Sequence, residues 1–168
     1  SFAESTGIKN IFFTSSIAPY GRSVEMKTES SPLYSETPYG ISKGYCEKIH
    51  QIWLERGTDR RLIICRPSVI YGPGDPGNVL RMIRGVKNGT FFFPGEHSII
   101  KAYGYIYGLL DSIKFVMSRE NEKLIIYNYA ENPVLPIGEM VKVIKKFFGI
   151  SRPTLKMPLN LLCFFAAI

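Results

Sequence analysis

Tyr39 and Lys43 stand four residues apart, so on a helix they share one face, one turn above the other. Such a pair can pass a proton to or from a hydroxyl or carbonyl. A free tyrosine titrates near ~10 and is a poor base at neutral pH, but an ammonium one turn away favours its phenolate. The same spacing also suits a surface tyrosine and lysine on an ordinary helix, so the weight falls on their companions. Ser16 is the best placed of these. It ends the run Thr14-Ser15-Ser16 after the apolar stretch Asn10-Ile11-Phe12-Phe13, and ligands of open α/β sheets bind beyond the carboxyl ends of strands. The local alternative is a serine that closes a strand by bonding its own backbone.

The elements that must position these groups follow from periodicity and punctuation. A helix is expected from Pro38 to about Arg56, with Pro38 in the first turn and Gly57 as a left-handed stop. Ile41, Tyr45, Ile49, Ile52 and Trp53 recur at helical spacing, which predicts a stripe anchored in a core. Residues 8–14 read as a strand, whose apolar stretch 10–13 suits a parallel strand covered on both faces. Residues 22–37 are polar, contain Ser30-Ser31-Pro32, and read as a loop able to cover a site. Residues 62–70 return to the sheet. Arg66 interrupts that apolar run, either pairing with a carboxylate at the strand end or contacting a ligand. Residues 79–86, 108–118 and 137–148 read as helices, the last stopped by Gly149, and residues 124–129 as a strand. Tyr103, Tyr105 and Tyr107 alternate like a strand.

Gly72-Pro73-Gly74-Asp75-Pro76-Gly77 literally satisfies G-x-G-x-x-G, after a strand and before a helical pattern. Its two prolines lack the backbone N–H groups that cradle a pyrophosphate, so it is not read as a dinucleotide fingerprint. Phe91-Phe92-Phe93 reads as an aromatic strand, with core packing favoured over stacking on a base. His50 and His97 have no partner at ligand spacing, and no metal site is expected.

Taken together, Ser16-Ile17-Ala18-Pro19-Tyr20-Gly21, Tyr39-Gly40-Ile41-Ser42-Lys43 and Arg66-Pro67-Ser68-Val69-Ile70-Tyr71-Gly72-Pro73-Gly74 resemble the extended short-chain dehydrogenase/reductase family. Within it, the chain looks like the NAD-dependent nucleotide-sugar epimerase/dehydratase branch. The resemblance implies that Ser16 hydrogen-bonds the reacting sugar hydroxyl, that Tyr39 is the acid/base, and that Lys43 holds the nicotinamide ribose and lowers the tyrosine pKa. It further implies that Pro67 and Ser68 pass the nicotinamide, and that Asn78 and Lys101 contact the sugar-nucleotide diphosphate. The implied fold is α/β, the C-terminal half of a Rossmann-type parallel sheet with part of a small substrate domain. Residues 1–72 would supply the second half of the NAD-binding domain. Residues 73–168 would supply a mixed substrate-binding region with returning Rossmann elements.

Family members that carry out elimination place an acidic residue just after the catalytic Ser/Thr; here Ile17 and Ala18 cannot move a proton, which favours epimerisation. The expected reaction is hydride removal and return at a sugar carbon, C4 of a UDP-sugar. A nucleotide-sugar reductase or dehydrogenase would use the same triad, and NADP could replace NAD. Val69 and Tyr107-Gly108 stand where relatives often carry an asparagine and an acidic pair, so the identity of the sugar stays open.

Composition sets the outer bounds. The chain has 168 residues, 45% of them hydrophobic, and a net charge of +7. The Lys and Arg residues are dispersed without a nucleic-acid motif, and a basic surface suits a diphosphate substrate. Cys46, Cys65 and Cys163 lack zinc spacing and read as reduced thiols of a cytoplasmic protein. Residues 1–6 followed by Gly7 read as the last turn of a helix and its glycine stop. The chain is therefore expected to be part of a longer protein, inactive alone if the cofactor fingerprint lies upstream, and homodimeric when whole. The apolar residues 158–168 are too few to span a bilayer.

Overall fold

The computed structural model describes residues 2–94 and 99–157; His97, Cys163 and the apolar stretch 158–168 lie outside these. The chain divides into two units, residues 1–70 with 104–130, and residues 71–103 with 131–168.

The first unit is built on a parallel sheet of three strands in the order β1-β2-β6, with β1 at Asn10–Thr14, β2 at Arg61–Pro67 and β6 at Leu124–Tyr129. The central strand is the most buried. Leu62, Ile63, Ile64 and Cys65 are at most 3% exposed, as a parallel strand covered on both faces requires. β1 is equally apolar but only half-buried, because β2 pairs with one of its edges alone. Helix α1 (Phe2–Ser5) precedes β1, and helices α2 (Pro38–Glu55) and α4 (Ile106–Met117) belong to the same unit. On one side of the sheet, Trp53 and Leu54 of α2 pack with Leu62 and Ile64; on the other, Val116 of α4 packs with Ile63 and Ile125.

Arg60 and Arg61, where the chain enters β2, close these helices. The Arg60 guanidinium donates to the Trp53 carbonyl at 2.5 Å and lies 4.9 Å over the Trp53 ring. Arg61 donates to the Val116 and Arg119 carbonyls, both at 2.9 Å, satisfying the end of α4. Gly57 is therefore not a left-handed stop. Helix α2 ends at Arg56 with φ −78°, and the Arg60 side chain fills the space beside Gly57.

The apolar stripe expected on α2 also lies differently. Ile41, Tyr45, Ile49 and Ile52 are 42–63% exposed, while Gly40, Glu47, Trp53 and Leu54 form the buried face. Trp53 alone of the expected stripe is anchored. The pattern gave the right period but not the rotation, because a charged residue, Glu47, occupies the inward face.

In the second unit, α3 (Asn78–Asn88) and α5 (Ile137–Phe148) pack together, burying Val79, Met82, Val86, Ile137 and Val141 with Phe93. Both helices close on a glycine with positive φ, Gly89 and Gly149. Strand β4 (Phe93–Pro94) pairs in parallel with β7 (Lys156–Met157), and the side chain of Phe93 belongs to the core. Short strands β3 (Val69–Tyr71) and β5 (Tyr103–Tyr105) stand where the chain leaves and re-enters the first unit; Tyr107 lies in α4, not in the strand. Among the described residues, no helix is long and apolar enough to cross a membrane.

Candidate active site

Helix α2 begins where its residue types dictate. The Thr37 hydroxyl accepts the Gly40 N–H at 3.1 Å, and Pro38 occupies the first helical position, whose N–H has no use. Tyr39 and Lys43 therefore lie in the first two turns. Tyr39 is 56% exposed. The Lys43 ammonium is 6.0 Å from the centre of the Tyr39 ring and 5.0 Å from that of Phe13, and it donates to the Thr14 carbonyl at 2.9 Å. That bond fastens the helix to the carboxyl end of β1. It uses one of three ammonium hydrogens and leaves two for a ligand.

The next two residues of β1's end divide their tasks. Ser15, 3% exposed, donates its hydroxyl to Glu47 at 2.5 Å. Ser16 is half-buried and its Oγ accepts the Ala18 N–H at 3.1 Å, so its own proton stays available to donate. The backbone of this turn runs along β2, with the Ser15 N–H on the Cys65 carbonyl at 2.7 Å and the Ile17 N–H on the Pro67 carbonyl at 3.1 Å. Ser68 follows immediately, its N–H on the Tyr129 carbonyl. Its hydroxyl oxygen is buried without a hydrogen-bond partner. The structure thus gathers Ser16, Lys43, Pro67 and Ser68 at the carboxyl ends of β1 and β2, with Tyr39 one turn of α2 before Lys43.

Behind them lies a buried polar network that the spacing of reactive residues did not disclose. Glu47 is one turn beyond Lys43 and 1% exposed; Arg66 is 3% exposed. They form a two-point ion pair, Arg66 Nη2 to Glu47 Oε2 at 2.6 Å and Nε to Oε1 at 3.0 Å. Arg66 Nη1 donates to the Tyr20 hydroxyl at 2.6 Å, which donates to Asn128 Oδ1 at 2.9 Å. Of the two readings open for Arg66, the structure shows the ion pair. Burial is the largest single influence on Arg66 and pulls its pKa down, but the bonds to Glu47 and Tyr20 together hold it above its ordinary value. One signal for it stood in the sequence: a cation inside an apolar strand, which needs a carboxylate partner.

The loop of residues 22–37 meets this network through Glu29. Its carbonyl accepts from Arg66 Nη1 at 3.3 Å and its carboxylate from the Asn128 N–H at 2.7 Å. His50 bonds the Cys46 carbonyl and stacks on Phe13, with ring centres 4.4 Å apart.

Asn78 and Lys101 belong to the second unit and both are exposed, Asn78 as the first residue of α3. In the preceding glycine-rich loop the Asp75 carboxylate accepts the Gly77 N–H at 3.0 Å. Among the described residues, no group of three His, Cys, Asp or Glu side chains could hold a metal.

Residues 1–130 match the NAD dependent epimerase/dehydratase family. The chain is 30% identical over 92% of its length to an Escherichia coli O157:H7 protein named N-acetyl-alpha-D-glucosaminyl-diphospho-ditrans,octacis-undecaprenol 4-epimerase, covering 47% of that protein. It is 25% identical over 95% of its length to UDP-glucose 4-epimerase of Vibrio cholerae, covering 49%. It spans about half the length of these curated relatives. Among solved structures, MoeE5 in complex with UDP-glucose and NAD superposes with a TM-score of 0.79 at 18% identity, over 93% of this chain and 54% of that one. The UDP-N-acetylglucosamine 4-epimerase of Methanobrevibacter ruminantium M1 superposes with 0.74 at 19%, over 95% and 57%. A parallel sheet whose strand ends gather a serine and a Tyr-x-x-x-Lys helix, matched over residues 1–130, places this chain in the NAD-dependent epimerase/dehydratase family.

Proposed function

We infer that these residues belong to an enzyme that inverts a hydroxyl-bearing carbon, C4, of a nucleoside-diphosphate sugar. The observation that carries this reading is the first-unit cluster: Lys43 fastened to Thr14 beside Ser16, with the Tyr39 phenol free on the same helix face. Tyr39 takes the sugar hydroxyl proton and gives it back. Ser16 donates its free proton to the reacting oxygen and orients it. Lys43 supplies positive charge near the Tyr39 ring. Ile17 and Ala18 add no second acid or base, which sets elimination aside.

The residues present fit NAD at its nicotinamide end. Lys43 has two uncommitted hydrogens, and the buried Ser68 hydroxyl lacks a partner. Tyr39, Lys43, Pro67 and Ser68 would hold the cofactor there. When bound, NAD accepts a hydride from the sugar carbon and returns it. Asn78 and Lys101 are proposed to contact the substrate diphosphate. The 30%-identical relative favours a second reading of the carrier, a polyprenyl diphosphate in place of the nucleotide. The exposed stripe of Ile41, Tyr45, Ile49 and Ile52 supports a homodimer formed through α2. The free thiols of Cys46 and Cys65 agree with the cytoplasm as its compartment.

The test is epimerisation of UDP-glucose and UDP-N-acetylglucosamine by the complete protein, with and without Tyr39→Phe. Loss of about 10²–10⁴ in kcat without net NADH release is expected. Net NADH release would identify a dehydrogenase instead, and unchanged turnover would remove Tyr39 from the mechanism.

A further inference from the structure

We propose that the corner of the second unit where α3 and α5 end is a docking surface for an anionic lipid bilayer. The charge there is one-sided. Residues 78–93 and 137–157 carry Arg81, Arg84, Lys87, Lys142, Lys145, Lys146, Arg152 and Lys156 against a single carboxylate, Glu139, already paired with Lys142 at 2.7 Å. The Lys87 ammonium lies 5.3 Å over the Phe148 ring, which brings the last turns of α3 and α5 side by side. Arg152 donates to the Val86 and Lys87 carbonyls and so spends its charge on the end of α3. Lys145, Lys146 and Lys156 have no carboxylate partner among the described residues.

Apolar side chains protrude through this basic surface. Phe147 is 79% exposed, Leu155 72% and Val143 61%. Val143 and Phe147 are one turn apart on the face of α5 opposite the buried Ile137 and Val141. Aromatic and aliphatic side chains flanked by lysines match a bilayer interface, where the apolar groups enter the acyl region and the lysines lie at the headgroups. A cleft of about 290 Å³ in the same unit is lined by Phe91, Phe92, Ile150 and Leu155 together with Lys145 and Lys156. Exposed apolar side chains interspersed with lysines suit a lipid better than a nucleic acid, whose phosphates gain nothing from Val143 or Leu155. Asn78 is at the opposite end of α3, about 15 Å away for a helix of 11 residues. The surface is therefore separate from that candidate substrate contact, and the inference does not rest on the epimerase reading.

Flotation of the whole chain with vesicles tests it, using phosphatidylglycerol mixed with phosphatidylcholine against phosphatidylcholine alone. Binding is expected only to the anionic vesicles and is expected to fall steeply with salt. Lys145→Glu with Lys146→Glu should weaken it at least tenfold, and so should Phe147→Ser with Leu155→Ser, all exposed or half-buried sites. The charge-matched control Lys114→Glu with Lys123→Glu should not. Absence of flotation overturns the proposal, as does flotation that none of these variants changes. Binding of an oligonucleotide that is lost with the lysine variant and kept with the serine variant, in the absence of vesicle binding, would overturn it in favour of nucleic acid.

Discussion

Glu47 and Arg66 are the residues on which the position of the reactive helix depends. Each is nearly fully buried and each satisfies the other, so removing one charge leaves its partner buried and uncompensated. Glu47→Gln is expected to cost about 3–5 kcal/mol in unfolding by urea, more than replacement of both residues by apolar ones of similar volume. Equal losses from the single and double changes would show that the pair itself matters little. A second effect concerns Cys65 and Tyr127. Burial raises both pKa values, and for Tyr127 the hydrogen bond with Cys65 adds to it. The fold therefore keeps both groups protonated where the unfolded chain ionises. Stability is full below the unfolded values, roughly 8.5 and 10, and falls as pH rises past them. Tyr127→Phe should flatten that alkaline decline in a melting series between pH 8 and 11. Tyr39 and Lys43 could be set on one helix from the sequence alone because they stand four residues apart. The pairing of Arg66 could not be read in this way, since its partner is 19 residues away and only the fold brings them together.

Helix α2 shows what a pattern can and cannot say about an element. Its length was readable from Pro38 onward, but the buried face was not, because one of the residues it buries is the charged Glu47. Gly40 faces inward at the helix start. A methyl there would come within 2.0 Å of the Ser35 hydroxyl and 2.6 Å of the Ala18 carbonyl. The second contact is backbone that cannot turn aside. Gly40→Ala should therefore destabilise by about 1–3 kcal/mol and displace the turn that carries Tyr39, despite alanine's better helix propensity. Thr37→Ala removes only the cap and should cost about 1 kcal/mol. Thermal melts of the two variants separate these effects; a neutral Gly40→Ala would mean that α2 starts elsewhere.

At the scale of the molecule, the two units were only partly visible in the chain order. β6 and α4 lie in the second half of the sequence yet belong to the first unit, because β6 completes its parallel sheet. The homodimer proposed through the exposed stripe on α2 is testable at this scale. Tyr45→Asp with Ile49→Asp should convert such a dimer to a monomer by light scattering while the monomer still unfolds cooperatively, since both side chains are more than 60% exposed. A mass unchanged by the substitutions would place the contact elsewhere.

The order β1-β2-β6 also has a consequence for synthesis on the ribosome. β2 meets β1 as soon as both have emerged, but its other edge must wait for β6, about sixty residues later. At ~5–20 residues per second, the apolar central strand is an open edge for roughly 3–12 s. In that interval the first stretch of the second unit is being made. The nascent chain is most exposed to chaperones and to mispairing at this moment, before Leu124 and its neighbours close the edge.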